Sequence, residues 1–189
     1  DIMTLRDAIA TTRGNGAAMS FVTTAGAAFT WALERGWIDH TPVLKIPPLP
    51  MGTYPAWTED QLAYSLTRLP EPLRRVVVLG VHTAQRRGDL CAMGWGAYDG
   101  QTIAVTQQKT GVALAIPVHP DLRRELGVWR SGATSTVILT TDRGVPWVPA
   151  NLTKVMAYAL DRIGLPAGLN VHGLRKLASV RLAEAGCSA

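Results

Sequence analysis

The chain has 189 residues, 47% hydrophobic and 17% charged, with two cysteines and a formal charge of +5. That composition is globular; it excludes a disordered tail, a collagen-like repeat and a disulfide scaffold, and Cys91 and Cys187 suit a reducing interior. The longest apolar runs, such as 76–81 broken by Gly80, are far too short to span a bilayer, and Asp1-Ile2-Met3-Thr4 lacks the basic and apolar regions of a signal peptide, so a cytoplasmic chain without membrane contact is expected.

The first predicted element is a helix over 18–36, where Phe21, Ala25, Ala28, Phe29 and Ala32 recur at helical spacing and Gly36 closes the end. Prolines 42, 47, 48, 50 and 55 then interrupt the chain and mark 42–56 as a linker between a helical unit over 1–41 and a second domain over 57–189. The second domain opens at Thr58, an N-cap followed by Glu59, Asp60 and Gln61. Pro70 and Pro72 break that helix, and further helices are predicted over 73–81 and 87–93. Two β-branched runs, 102–107 and 112–118, flank Lys109-Thr110-Gly111 and predict a hairpin. A helix over 121–129, a strand over 136–140, a turn at Asp142-Arg143-Gly144 and helices over 152–163 and 171–184, the last closed by Gly186, complete the order. The fold class is α+β, mainly α, with one small antiparallel sheet. The six tryptophans are expected in core or interdomain packing, Cys91 as a buried inert thiol, and Asn151-Leu152-Thr153 as a helix start rather than a glycosylation sequon.

The charge is unevenly placed. Residues 1–50 balance four bases against four acids, whereas 51–189 carry fifteen bases and ten acids. Only Lys45, Lys109, Lys154 and Lys176 are lysines; the rest are arginines, whose planar fork suits phosphate oxygens. Arginine richness is equally the mark of a GC-rich genome. Four groups stand at more informative places: Arg86 in Thr83-Ala84-Gln85-Arg86-Arg87-Gly88-Asp89-Leu90, Lys109 at the hairpin tip, and His172 and Arg175, three apart on one predicted helix. Brought together they would make a phosphate site, the arginines neutralising charge that grows on non-bridging oxygens and the lysine and histidine moving protons. Singly, each has a plainer role: Arg86 as a surface partner of Asp89, Lys109 as a solvated turn residue, His172 as a helix cap, Arg175 with Lys176 as a solvated face.

In that order and spacing the four motifs resemble the tyrosine recombinases, particularly phage-type integrases. Thr83 to Leu90 matches the family's Thr-Gly-x-Arg-x-x-Glu/Asp-Leu pattern, with Ala84 in place of the usual glycine. Gln108-Lys109-Thr110-Gly111 is similar to the lysine-bearing β-hairpin, and His172-Gly173-Leu174-Arg175 to the His-x-x-Arg box. The stretch 29–38 looks like the last helix of the family's core-binding domain. The resemblance implies that 1–41 is the end of an α-helical, SAM-like core-binding domain and 57–189 a catalytic domain. It implies Arg86, Lys109, His172 and Arg175 as catalytic residues, Asp89 as structural support, and Arg87, Lys176 and Thr110 as DNA contacts.

It further implies a site-specific recombinase that cleaves and rejoins DNA through a 3′-phosphotyrosyl link to integrate or excise a phage or mobile element, without metal or other cofactor. Double-stranded DNA at attachment sites is the implied partner, bound by a homo-tetramer, with a DNA-bending accessory or excisionase protein. The family's second His or Trp and its nucleophilic tyrosine fall beyond Ala189 on this spacing. Tyr54, Tyr64, Tyr98 and Tyr158 all precede the His172 box, so a fragment inactive on its own is expected. Two readings keep part of this chemistry: a non-catalytic DNA-binding or regulatory remnant, and a type IB topoisomerase-like enzyme.

Overall fold

A computed structural model describes residues 1–43 and 45–187; Leu44 of the proline-rich stretch, and Ser188 and Ala189 at the end of the expected second domain, lie outside the described residues. The chain divides into two compact units, Asp1–Thr53 and Tyr54–Ala189.

In the first unit α1 (Ile2–Arg13) packs against α2 (Asn15–Glu34) across Gly14, whose φ of +83° glycine adopts without a Cβ clash. The predicted helix began at residue 18; the structure starts it at Asn15 and adds α1. The buried position of α1 is Arg6 rather than an apolar residue. Its start is set by the Asp1 carboxylate, which accepts from the Met3 amide at 2.6 Å and the Thr4 amide at 3.3 Å. At the end of α2 the Trp37 amide donates to Ala32 O and the Gly36 amide to Leu33 O, both at 3.0 Å, a Schellman close with Gly36 left-handed as its spacing suggested. Part of the proline-rich stretch is laced to this unit: buried Arg6 donates from Nη1 to Pro47 O at 2.8 Å, and Asn15 Nδ2 to Pro50 O at 2.9 Å. Carbonyls outside any ladder need such donors.

One expectation is narrowed here and another fails. By length and composition α2 is apolar enough to cross a membrane, with mean hydropathy 1.2, because small residues rather than charges interrupt its apolar positions. Trp31 and Trp37 are exposed instead of packed in a core; they meet edge-on at 4.8 Å, with the Arg35 guanidinium 4.0 Å over the Trp31 ring. The other four tryptophans are buried.

The second unit is built around α4 (Glu71–Thr83), which buries Val76, Val77, Val78 and Leu79 in succession and so is apolar on every side over that turn. Each such side chain contributes about 1.5–3 kcal/mol of burial. Before it comes α3 (Glu59–Arg68), opened by a capping box in which Thr58 Oγ1 accepts from the Gln61 amide at 3.2 Å and Gln61 Oε1 from the Thr58 amide at 3.0 Å. After it come α5 (Arg87–Ala92), a single 3-10 turn at Trp95–Ala97, and the hairpin of β1 (Thr102–Thr106) and β2 (Ala113–Pro117), antiparallel with Ala104 opposite Ala115. Helices α6 (Pro120–Ser131), α7 (Pro149–Arg162) and α8 (Val171–Glu184) follow. Helix α8 lies along α4 closely enough that a Cβ on Gly80 would sit 3.3 Å from Leu174 Cδ1. The architecture is α+β, mostly helical with one two-stranded antiparallel sheet.

The predicted strand over 136–140 is not one. Its ends make isolated bridges, Val137 to Gly94 and Thr140 to Pro146, while Ile138 and Leu139 plug the core. The β-branched run was a burial signal, and among the described residues no neighbouring strand forms a ladder with it.

Candidate functional site

Arg86 sits where the chain leaves α4 and enters α5. The turn is made by Ala84, left-handed at φ +54°, ψ +24°, with its amide on Gly80 O at 3.0 Å. The alanine thus takes the conformation that glycine would take more cheaply. Arg86 does not pair with Asp89: its Nη1 donates to Gln107 Oε1 at 2.9 Å. Asp89 is buried and accepts from the Gln108 amide through Oδ1 at 2.9 Å, which pins the hairpin loop to α5. Its Oδ2 is buried without a partner among the described residues.

Lys109 stands exposed on the turn that joins β1 to β2. That turn is closed by the Gly111 amide on Gln107 O at 2.8 Å, with Gly111 left-handed at φ +69°. His172 is exposed on the first turn of α8, which Asn170 caps by accepting from the His172 amide at 2.9 Å and the Gly173 amide at 3.1 Å. His172 therefore does not serve as the cap, and its imidazole is left for the groove. One groove of about 540 Å³ is lined by Arg86, Lys109 and His172 together with Arg87, Thr153 and Tyr54. Three of the four predicted catalytic groups thus share one open cleft.

Arg175 lies one turn deeper on α8. Burial holds its guanidinium below the ordinary arginine range, the nearby positive charge of Arg86 acts in the same sense, and Asp89 opposes both. It stays charged, since arginine does not deprotonate in proteins. Its Nη1 is buried with no partner among the described residues. A buried cationic donor beside a second arginine, with its hydrogen bond unmade, is what an anion's oxygen would satisfy.

The predicted DNA contacts differ from one another. Arg87 is exposed in the groove wall, where its guanidinium donates to the Thr153 hydroxyl on α7. The Thr110 hydroxyl donates to Gln107 Oε1 at 2.9 Å. Lys176 Nζ donates to Tyr54 O at 2.5 Å, so it ties down the segment at the start of this unit.

Three features were not anticipated. Gly173 has no room for a side chain: a Cβ there would lie 2.5 Å from Pro55 O and 2.7 Å from Trp57 Cδ1. The Tyr54 ring stands edge-on to His172, centroids 6.1 Å apart. Gln85 and Gln107 are both buried and bonded to each other. Inward alternation along β1, through buried Ile103 and Val105, points at Gln107; nothing local points at Gln85 or Tyr54.

Comparison with known proteins adds the following. Residues 58–189 match the model of the phage integrase family. The integrase of Escherichia phage HK022 is 32% identical over 121 residues, which cover 59% of this chain and 34% of that protein. The chain therefore spans about a third of the length of this curated relative. A structure of lambda integrase residues 75–356, a dimer bound to a COC′ core site, superposes with a TM-score of 0.81 at 26% identity, covering 99% of this chain and 73% of that one. A lambda integrase tetramer bound to a Holliday junction gives a TM-score of 0.80 at 24% identity, covering 97% and 59%, a likeness of fold.

Proposed function

The chain belongs to the phage integrase family, whose members are tyrosine recombinases, and from that membership we propose that its second unit binds the scissile phosphate of duplex DNA for strand cleavage and rejoining. The single observation that carries this is the buried, unpartnered Arg175 Nη1 beside Arg86, at a cleft that also holds Lys109 and His172.

Arg86 and Arg175 would hold the two non-bridging oxygens and offset the charge that builds on them as phosphorus becomes five-coordinate. A tyrosine hydroxyl, carried in this family C-terminal to the histidine–arginine box, would attack phosphorus and give up its proton with help from His172. The bond from phosphorus to the 5′ oxygen would break, and Lys109 would protonate that oxygen as it leaves. The phosphodiester energy is kept in the phosphotyrosyl link, so the reversed steps rejoin a strand. Asp89 would hold the lysine loop by its bond to the Gln108 amide. Residues 1–41 serve in this reading as the end of a core-binding domain and 42–56 as the linker. Binding as a tetramer on attachment-site DNA, in the cytoplasm, follows from the same membership and is in keeping with the lambda integrase tetramer on a Holliday junction.

The test is binding of a fluorescent duplex across a salt series. Each of Arg86→Ala and Arg175→Ala should weaken binding about tenfold or more and lower the slope of log K against log[salt] by about 1. Unchanged affinity in both variants would remove the phosphate clamp. With a nicked duplex, residues 1–189 alone should give no DNA-linked band on a denaturing gel; a band would place a working nucleophile within them.

A further inference from the structure

Between the arginine turn and the hairpin runs a chain of side-chain amides that the cleavage chemistry does not use. Gln85 and Gln107, 5% and 8% exposed, come from segments 22 residues apart. Gln85 Nε2 donates to Thr83 O at 3.0 Å, and Gln107 Nε2 donates to Gln85 Oε1 at 3.0 Å. Gln107 Oε1 then accepts twice, from Arg86 Nη1 at 2.9 Å and from the Thr110 hydroxyl at 2.9 Å.

The direction of this relay is forced. Arginine can only donate, so the oxygen of Gln107 must face Arg86 and its NH₂ must face Gln85. Gln85 must then present its oxygen to Gln107 and its NH₂ to the backbone carbonyl of Thr83. Reversing either amide would set two donors or two acceptors against each other in a buried place, at a cost comparable to a lost hydrogen bond. The backbone of Gln107 is held as well: its amide donates to Val112 O at 2.9 Å, and its carbonyl accepts from Gly111. One side-chain oxygen therefore carries both the first arginine of the clamp and the residue next to Lys109.

We propose that Gln107, oriented by Gln85, is a positioning residue that locks the Lys109 turn to the Arg86 guanidinium, so that the two cations meet one phosphate as a unit. This rests on the phosphate-clamp reading above. Gln107 touches no substrate itself. Its single acceptor leaves the other guanidinium N–H groups free and adds no negative charge, which a glutamate there would do. A carboxylate at this position would neutralise the arginine it holds.

The experiment combines a binding cycle with a dynamic readout on the same chain. In duplex binding, Gln107→Leu should lower affinity about tenfold and reduce the salt slope by about 1 in the parent, and cost markedly less in the Arg86→Ala background, where only the Lys109 turn is left for it to hold. Backbone ¹⁵N relaxation of the Lys109, Thr110 and Gly111 amides should drop from rigid values to order parameters below about 0.6 in Gln107→Leu, while β1 stays rigid. Gln107→Glu keeps the contacts to Arg86 and Thr110 but sets a carboxylate oxygen against Gln85 Oε1 and a negative charge beside the arginine, so it should bind DNA more weakly than the parent, and parent-like binding would overturn the inference. If Arg86→Ala leaves binding intact, the clamp reading falls and takes this inference with it. If Arg86→Ala weakens binding but Gln107→Leu costs the same in both backgrounds, or the turn stays rigid without Gln107, the inference alone is overturned.

Discussion

Replacing Gly173 by alanine tests how the histidine–arginine box is seated. The added Cβ would lie 2.5 Å from Pro55 O and 2.7 Å from Trp57 Cδ1, contacts that ordinary carbon atoms do not make. Neither neighbour is the free end of a flexible chain: one is a backbone carbonyl, the other the ring of a tryptophan 2% exposed. The segment 55–57 must retreat, and with it go the Trp57 Nε1 bond to Asn170 O at 2.9 Å and the longer Trp57 amide contact to Gly173 O at 3.4 Å. Overpacking of this kind costs about 1–3 kcal/mol, the lost hydrogen bond about 1 more, and the better helix propensity of alanine returns about 1. The net is a loss of about 1–3 kcal/mol, or a fall in melting temperature of roughly 2–12 °C for a chain of this size. Thermal unfolding followed by circular dichroism measures it, and tryptophan fluorescence should report Trp57 moving. A variant as stable as the parent, or more so, would refute the claim that glycine is required here by close approach.

Other outcomes follow from single residues. Ala84→Gly should stabilise by no more than about 1 kcal/mol, since release from the left-handed strain is partly offset by the greater freedom of unfolded glycine; destabilisation in a urea titration would contradict that strain. Arg74 hydrogen-bonds both Glu71 and Glu125 and holds both carboxyls below their ordinary range of about 4.5. A carboxyl depressed by folding stabilises above its unfolded value and loses that contribution as pH falls through the folded one. The urea midpoint should therefore drop more steeply below pH 4.5 in the parent than in Arg74→Leu, and parallel curves would contradict it. Burial pushes the Cys91 thiol up to about 11, whereas Cys187 is exposed. Iodoacetamide at neutral pH should label Cys187 and leave Cys91 unmodified in the folded chain, as mass spectrometry of the peptides would record.

Near neighbours along the chain decide most of the features that could be read before folding. The capping box at Thr58 and Gln61, the glycine closes at Gly36 and Gly186, the hairpin around Lys109 and the span of α8 all depend on hydrogen bonds within a few residues, and all were legible. The four motifs through Arg86, Lys109, His172 and Arg175 were read from their resemblance to a family rather than from local hydrogen bonds. Helix α1 was not legible, because its cap is the first residue and the position it buries is a charged one, Arg6. The run at 136–140 misled because β-branched residues suit a buried loop as well as a strand. Packing alone brings Arg86 to Gln107 and not Asp89, leaves the Arg175 Nη1 donor buried and unspent, and sets Gly173 against Pro55 and Trp57. Those contacts join residues 21 to 118 positions apart in the chain. No local pattern encodes such a pairing, because it arises only when the helices pack and a buried polar atom takes the partner that packing brings within reach.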